Sequence, residues 1–203
     1  MSDNRRFVDS IFRVWARFYD NPLQQRLYFG PIQEAVVARL GESPGQVLDL
    51  GCGTGELMVR LSEVEPPPFG FDISHEMLVK GAEKPRLTGR LVVADGHHLP
   101  LADQSVDTIT CLISFQYYLR PLEALQEMHR VLRPGGRLFL AALTSLVFEV
   151  EPVDSAMRNA TDDLFRVYAP SVLRDLLLEA GFASAEHQML RPFTRLYEAK
   201  RSA

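Results

Sequence analysis

The residues best suited to hold a ligand form a glycine-rich turn, Asp49-Leu50-Gly51-Cys52-Gly53-Thr54-Gly55, at the end of an apolar segment. Alternating glycines permit a tight turn and leave no β-carbon between the backbone and a ligand. A helix predicted to begin at about Thr54 would point its free N–H groups at that ligand. Strand, glycine turn and helix in this order favour a ligand site over a plain strand-to-helix connection.

Two carboxylates follow the next two predicted strands. Asp72 lies 21 positions after Gly51, the offset at which an acidic residue accepts hydrogen bonds from ribose hydroxyls. Asp95 follows the third strand, where it could accept from an adenine amino group while a neighbouring backbone N–H serves a ring nitrogen. The alternatives are a helix-capping aspartate at 72 and an ordinary turn aspartate at 95. Their shared position at strand ends favours binding, so we expect Asp72→Ala to weaken ligand binding strongly and leave the fold intact.

Alternating strands and helices must position these groups. The predicted strands cover residues 47–50, 69–73, 91–94, 106–113 and 137–143, with two closing strands at about 184–190 and 193–200. The predicted helices cover 54–62, 75–82 behind a Ser74 cap, 122–132 up to Arg133-Pro134-Gly135-Gly136, and a last one capped by Ser171. Helical crossovers between strands imply a mainly parallel sheet, whose ligands bind at the carboxyl ends of the strands.

Together these motifs resemble the class I S-adenosylmethionine (SAM) methyltransferases, from about residue 45 to 200. The matching segments are VLDLGCGTG, GFDIS, ADGHHLPLADQSVD, HRVLRPGGRLFL and LLLEAGF. The nearest group is that of ubiquinone/menaquinone-biosynthesis and small-molecule methyltransferases, and WARFYD at 15–20 resembles the N-terminal segment of that group and of some bacterial phospholipid N-methyltransferases. The motifs are specific to the family and unspecific about the methyl acceptor.

The resemblance implies an α/β fold: a Rossmann-like, seven-stranded, mainly parallel sheet with helices on both faces, an antiparallel terminal hairpin and an N-terminal helical cap. It implies one methyltransferase domain over 1–203. Within it, the predicted parts are the cap at 1–44, the SAM-binding core at 45–144, a candidate substrate lid at 145–169, and the terminal helix and hairpin at 170–203. SAM would be the methyl donor and S-adenosylhomocysteine (SAH) the product.

Carried over by resemblance, the cofactor-binding residues are Asp49, Gly51, Cys52, Gly53, Thr54, Gly55, Asp72, Ile73, Asp95, Gly96 and Tyr19. The glycine turn with Asp49 would hold the methionine part, Asp72 the ribose, and Asp95 with its neighbour Gly96 the adenine. Tyr19, with Trp15 as a second candidate, would cover the sulfonium, a cation–aromatic contact that stabilises by roughly 0.5–2 kcal/mol. Simple helix packing explains Trp15 equally well.

One stretch departs from the family pattern. Many relatives carry a histidine pair after the fourth strand, whereas this chain has Ser114-Phe115-Gln116-Tyr117-Tyr118. A protein base is needed only if the acceptor loses a proton during attack. The candidates for it are His97, His98, Tyr117 and Tyr118, and the two tyrosines would otherwise shape the acceptor pocket.

Residues 145–169 could cover the acceptor. Phe148, Phe165 and Tyr168 are the candidate lid aromatics, which would line the substrate site together with Tyr117 and Tyr118. A connector whose aromatic side chains fill the core is the alternative. The expected acceptor is a small molecule or a lipid.

Composition excludes several classes of protein. A net charge of −4 disfavours nucleic acid as a partner. Two cysteines in apolar or glycine-rich surroundings indicate neither a disulfide framework nor a metal site. The chain shows no signal-peptide pattern and no apolar run near the ~20 residues of a membrane span, so we expect a cytoplasmic protein without a transmembrane segment. Its oligomeric state stays open.

Two rival functions share parts of this pattern. A nicotinamide-dependent oxidoreductase would have G-x-G-x-x-G, whereas Gly51, Gly53 and Gly55 run G-x-G-x-G and Glu56 takes the third glycine's place. A non-catalytic SAM-binding regulatory or partner protein would keep the same cofactor motifs, because fold and cofactor do not fix function. Methyl transfer distinguishes it from an enzyme.

Overall fold

The computed structural model describes residues 20–145 and 165–203. Within these residues, seven strands form one sheet in the order β3-β2-β1-β4-β5-β7-β6. The strands are β1 Val47–Leu50, β2 Phe69–Asp72, β3 Leu91–Val93, β4 Val106–Leu112, β5 Leu132–Leu143, β6 Ser184–Arg191 and β7 Thr194–Lys200. The helices are α1 Gly30–Leu40, α2 Glu56–Arg60, α3 His75–Ala82, α4 Pro121–Val131 and α5 Pro170–Glu179.

The first five strands run parallel, and β7 pairs antiparallel with both β5 and β6. The predicted fold class and the terminal hairpin are therefore confirmed. Strand order reverses between β1 and β4, because the chain moves outward to β3 and returns to the other side of β1. In open α/β sheets this is the point at which a crevice forms beyond the strand ends.

Both faces of the sheet are covered, as successive side chains of β5 show. Leu138 and Leu140 lie on one face in the largest apolar cluster, with α4 and α5. Phe139 and Ala141 point to the other face, where α1 packs through Ile32, Val36 and Leu40. This alternation follows from the period of two in a strand. The central strands are therefore packed on both faces, and their carboxyl ends lie at one edge of the sheet.

Three predicted boundaries were wrong. The helix after the glycine turn begins at Glu56, because Gly55 has a left-handed backbone (φ 77°) and caps the helix from outside. The last helix begins at Pro170 behind Ala169, without a side-chain cap, so Ser171 does not cap it. Strand β5 begins at Leu132 rather than at residue 137, and its pairing with β4 shifts register between Val106 and Thr108. The Ser74 cap is confirmed by a 3.3 Å bond from the Met77 N–H to the Ser74 hydroxyl.

Before α1, a helical turn at Pro22–Gln24 and a π-helical segment at Gln25–Phe29 lead into the helix. Asn21 caps this segment through its side chain. Asn21-Pro22 therefore marks the start of a helical segment. Among the described residues, no helix is both long enough and apolar enough to cross a membrane.

Candidate functional site

A buried carboxyl group lies at the sheet's reversal point. Asp49 of β1 is 3% exposed, and its Oδ1 accepts a 2.7 Å hydrogen bond from the hydroxyl of Thr110, its register partner on β4. Burial raises the pKa of Asp49 to about 7, against the lowering effect of the Thr110 bond. Near neutral pH this carboxyl group is therefore poised between its two forms, and a cationic ligand group would favour the ionised one.

Asp49 lines a small pocket that opens to solvent between the glycine turn and α1. The described lining comprises Phe29, Ile32, Gln33, Asp49, Gly51, Cys52, Glu56, Leu57, Leu112 and Ile113. Two carboxylates, one amide and an apolar wall fit a ligand that carries a positive charge on an aliphatic chain. The predicted methionine end of the cofactor has this chemistry.

The glycine turn takes backbone conformations that suit glycine. Gly51, Gly53 and Gly55 all have positive φ, at 71°, 56° and 77°. The N–H groups of Gly51 and Cys52 donate to the Phe71 carbonyl at 2.7 and 3.1 Å. A β-carbon on Gly51 would lie 2.4 Å from the Ser114 hydroxyl oxygen. The loop after β4 therefore packs directly against the turn.

Asp72, the predicted ribose acid, ends β2 and links two backbone segments. Its Oδ2 accepts from the Gly53 N–H and its Oδ1 from the Ser74 N–H, both at 2.8 Å. Burial raises the pKa of Asp72, and the backbone N–H groups of Ser74 and Gly53 oppose that rise. Each carboxylate oxygen has a second lone pair, so the group can hold the turn and still accept from ribose hydroxyls.

Asp95, the predicted adenine-side acid, pairs with His97. The Oδ1 atom of Asp95 lies 2.7 Å from the ring Nδ1 and accepts from the His97 N–H at 3.0 Å. The backbone N–H of Arg120 donates to the other ring nitrogen, Nε2, at 3.3 Å. Since an accepting Nε2 leaves the proton on Nδ1, these contacts select the tautomer that donates to Asp95. Both ring nitrogens of this candidate base are thus engaged within the protein.

The loop between β4 and α4 contacts both the glycine turn and the turn after β3. Its Ser114 meets the glycine turn, and its Tyr118 lies on Gly96, where a β-carbon would approach within 2.5 Å of the Tyr118 ring. The Tyr118 ring also packs against His97 and Phe115, with centroids 5.4 and 5.2 Å apart. Burial raises the pKa of Tyr118 well above its ordinary value, so the phenol stays protonated.

Gly96→Ala should destabilise the fold by about 1–3 kcal/mol, because the Tyr118 ring is held on both sides and cannot withdraw freely. Urea unfolding would measure the loss. Tyr118→Leu in the same chain removes the clashing ring edge and should recover part of it. If the losses of unfolding free energy in the two single variants simply add in the double variant, the Gly96–Tyr118 contact does not cause the destabilisation.

Lys84 ties the glycine turn to Asp20, which precedes the helical segment before α1. Its ammonium nitrogen lies 2.7 Å from a Glu56 carboxylate oxygen, 2.7 Å from the Thr54 carbonyl and 3.3 Å from Asp20 Oδ2. The Thr54 hydroxyl donates to Asp20 Oδ1 at 2.5 Å. Three acceptors use all three donors of the ammonium group. The turn, the start of α2 and the approach to α1 are therefore joined through one side chain.

Lys84→Met should raise the SAH dissociation constant about tenfold, because losing these charge-assisted bonds frees the turn that frames the pocket. Isothermal titration calorimetry would measure the change. Lys84→Arg should recover part of the affinity, and Lys80→Met on α3 is the matched control. Equal affinity in Lys84→Met and wild type would contradict a role in positioning the turn.

The remaining candidate base and acceptor-site residues differ in exposure and in their contacts. His98 is exposed at the turn after Asp95, and Tyr117 is half-buried, with its ring centroid 5.6 Å from that of Phe165. Tyr168 is 3% exposed and belongs to the main apolar cluster, which favours the core-filling alternative for this aromatic. Tyr19, Trp15 and Phe148 lie outside the described residues. Their predicted roles stay predictions.

Sequence reasoning missed several pocket and support residues. Phe29 reaches the pocket from the π-helical segment, and Ile32 and Gln33 reach it from α1. Nothing in their spacing distinguishes them from ordinary helix residues. Glu56 was identifiable, because an acid directly after the last glycine occupies the first turn of α2. Thr110 needed knowledge of the strand order, since β1 and β4 are far apart in sequence.

Comparisons with known proteins identify the family of this chain. The family described as "Methyltransferase domain" matches residues 48–140. A malonyl-[acyl-carrier protein] O-methyltransferase of Methylococcus capsulatus is 38% identical over 66% of this chain and 50% of its own length. An uncharacterised methyltransferase of Geobacillus kaustophilus is 31% identical over 89% and 91%. The ubiquinone/menaquinone biosynthesis C-methyltransferase of Methylobacterium nodulans is 30% identical over 90% and 85%. The chain spans about half the length of some curated relatives it matches.

Solved structures share the fold. A chain from the complex between the Haloferax volcanii Trm112 methyltransferase activator and a methyltransferase superposes with a TM-score of 0.77 at 23% identity, covering 95% of this chain and 98% of that one. The Burkholderia thailandensis 1,6-didemethyltoxoflavin-N1-methyltransferase, solved with bound 1,6-didemethyltoxoflavin and SAH, superposes with a TM-score of 0.72 at 16% identity, covering 100% of this chain and 92% of that one.

Proposed function

Because the chain belongs to the class I SAM-dependent methyltransferases, we propose that it transfers the methyl group of SAM to a small or medium-sized acceptor, a metabolite or a lipid, and releases SAH. The observation that carries the proposal is the buried Asp49–Thr110 pair, which opens into a pocket bordered by the glycine turn. Asp72 and Asp95 continue the row of acids at the ends of β2 and β3.

The residues present fit the cofactor. Asp49 and Glu56 offer negative charge to the amino group of the methionine part, and Asp72 keeps lone pairs for the ribose hydroxyls. Asp95, held by His97, would accept from the adenine amino group. SAM supplies a methyl group made electrophilic by its sulfonium. The protein's task is to orient the acceptor and exclude water, and orientation alone lowers a barrier by as much as ~7–11 kcal/mol in ideal systems.

Three of the four candidate bases are poorly suited to take a proton from the acceptor. His97 has both ring nitrogens engaged, and burial raises the pKa of Tyr117 and Tyr118, which keeps both phenols protonated. Tyr117 and Tyr118 would therefore orient an acceptor through hydrogen bonds rather than take its proton. His98 is the remaining candidate base. Unchanged turnover in His98→Ala would exclude His98 from that role.

The breadth of the acceptor class follows from the relatives. Their names record O-methylation of a malonyl-carrier protein and C-methylation in quinone biosynthesis, so this family accepts different nucleophiles. For the present chain we propose only what these reactions have in common, namely an acceptor that reaches the strand ends. It would lie beside Ser114 and Tyr117.

The test is transfer of labelled methyl from SAM into a fractionated extract of the source organism, with SAH binding measured in parallel. Label in a small-molecule or lipid fraction would support the proposal and identify the acceptor class. Label confined to protein or nucleic acid would contradict it. SAH binding without label in any fraction would favour the non-catalytic alternative, and absence of both would contradict the cofactor assignment.

A further inference from the structure

Three large apolar side chains are exposed on two segments that lie near the pocket. Leu23 is 65% exposed, Leu27 55% and Phe193 54%. Leu23 and Leu27 lie one turn apart on the helical segment before α1, and Phe193 lies in the turn between β6 and β7. A group of exposed apolar side chains on one face marks an interaction surface more often than isolated ones do.

Contacts between the two segments place them side by side. The Arg191 guanidinium donates to the Leu27 carbonyl and lies over the Tyr28 ring, 5.6 Å from its centroid. The hydroxyl oxygens of Tyr28 and Thr194 are 3.5 Å apart. Phe193 is the chain neighbour of Thr194. We call Leu23, Arg26, Leu27, Arg191 and Phe193 the Leu27 surface.

The charge of this surface is opposite to that of the whole chain. Residues 21–33 and 187–197 contain Arg26, Arg191 and Arg195 and no aspartate or glutamate, although the chain carries a net charge of −4. Arg26 is exposed, and within the described part of the chain neither it nor Arg191 forms an ion pair with a carboxylate. Apolar side chains beside arginines complement an anionic interface that also accepts hydrocarbon.

The position and shape of the surface indicate what it meets. Phe29 lines the pocket only two residues after exposed Leu27, and the Phe193 carbonyl accepts from the Thr144 N–H at 2.9 Å, at the end of β5. The surface therefore backs onto the pocket wall. Its parts are a helix start and a hairpin tip, and none of its residues lines the pocket. Protruding Leu and Phe side chains insert into a bilayer interface without needing a matching groove.

We propose that the Leu27 surface docks the protein reversibly on an anionic lipid surface. Leu23, Leu27 and Phe193 enter the interface, while Arg26 and Arg191 meet lipid phosphates. This docking does not depend on methyl transfer, and it would bring the pocket rim close to the lipid.

The experiment is co-sedimentation of the full chain with vesicles of phosphatidylcholine alone and of equal parts phosphatidylcholine and phosphatidylglycerol. We expect binding to the anionic vesicles only, weakening as salt increases. Arg26→Gln should weaken it about fivefold. Leu27→Ser and Phe193→Asn should each weaken it roughly tenfold. Asparagine tolerates the positive φ of 61° at position 193, so that variant keeps the turn.

Matched controls lie elsewhere on the surface. Leu178→Ser on α5 removes an exposed leucine, and Arg86→Gln removes an exposed arginine; neither should alter vesicle binding. All variants should retain SAH affinity, which separates this proposal from the methyltransferase assignment. Absence of wild-type binding, equal binding to neutral vesicles, or equal losses in the controls would overturn it. So would concentration-dependent dimerisation, measured by analytical ultracentrifugation, that Leu27→Ser abolishes while vesicle binding persists.

Discussion

Asp72→Ala should weaken SAH binding at least a hundredfold, the largest loss expected from any single substitution in the site. The ribose hydroxyls would lose their hydrogen bonds to the carboxylate. Each such bond to a charged acceptor contributes about 1.5–3 kcal/mol. The Gly53 N–H would also lose its acceptor, so the turn that frames the pocket would become less ordered. Isothermal titration calorimetry at neutral pH would measure the change.

The structure adds a stability effect that the sequence did not suggest. Because Asp72 accepts from both the Gly53 and Ser74 N–H groups, alanine should lower the free energy of unfolding by about 1–2 kcal/mol. Asp72→Asn keeps one acceptor oxygen and is the milder control. A 2′-deoxy analogue of SAH separates the two effects: wild type should prefer SAH, and Asp72→Ala should not. Retained discrimination in the variant would contradict the ribose assignment.

The sequence predicted the sheet better than the pocket. Short apolar segments with Asp49, Asp72 and Asp95 at or just beyond their carboxyl ends were recognisable because strand and acid recur together. The parallel sheet then brings these ends to one edge. The start of α2 was misplaced because a left-handed Gly55 interrupts a helical pattern without changing the residue types around it. Local propensity does not distinguish a glycine that caps a helix from one inside the turn before it.

Contacts between distant residues account for the remainder. Lys84 joins Asp20, Thr54 and Glu56, and no local pattern places a lysine at residue 84 over a turn 30 positions earlier. His97 looked like a candidate base by residue type. Its pairing with Asp95 on one nitrogen and the Arg120 N–H on the other is visible only once the loop after β4 is folded over it. Residue type predicted the chemistry available, and tertiary packing determined which groups are engaged.

Asp49→Asn should stabilise the ligand-free protein above about pH 7 while weakening its ligand binding. Unfolded, this carboxyl has a pKa of 3.8, and burial raises it to about 7 in the fold. Between these values the folded state holds a proton that the unfolded state has lost. The unfolding free energy therefore falls as pH rises toward about 7, by up to about 4 kcal/mol at 1.36 kcal/mol per unit. Asparagine avoids this loss and still accepts from Thr110 through its Oδ1.

Urea unfolding at about pH 8 and about pH 4 measures that difference. The variant should exceed wild type at the higher pH by about 2–4 kcal/mol and match it at the lower, where wild-type Asp49 is protonated. Equal stabilities at both values would show that Asp49 is ionised without penalty in the fold, contrary to its burial.

Ligand binding should respond in the opposite direction. The amino group of SAH is cationic, so binding favours ionised Asp49, and below about pH 7 the ligand must displace its proton. The wild-type dissociation constant should rise by up to about tenfold per unit as pH falls, whereas Asp49→Asn should bind about tenfold to a hundredfold more weakly near pH 8 with little pH dependence. Glu56→Gln, which alters the other pocket carboxylate, should keep the wild-type pH profile. A profile that follows Glu56 instead would place the ammonium against α2 rather than at the end of β1.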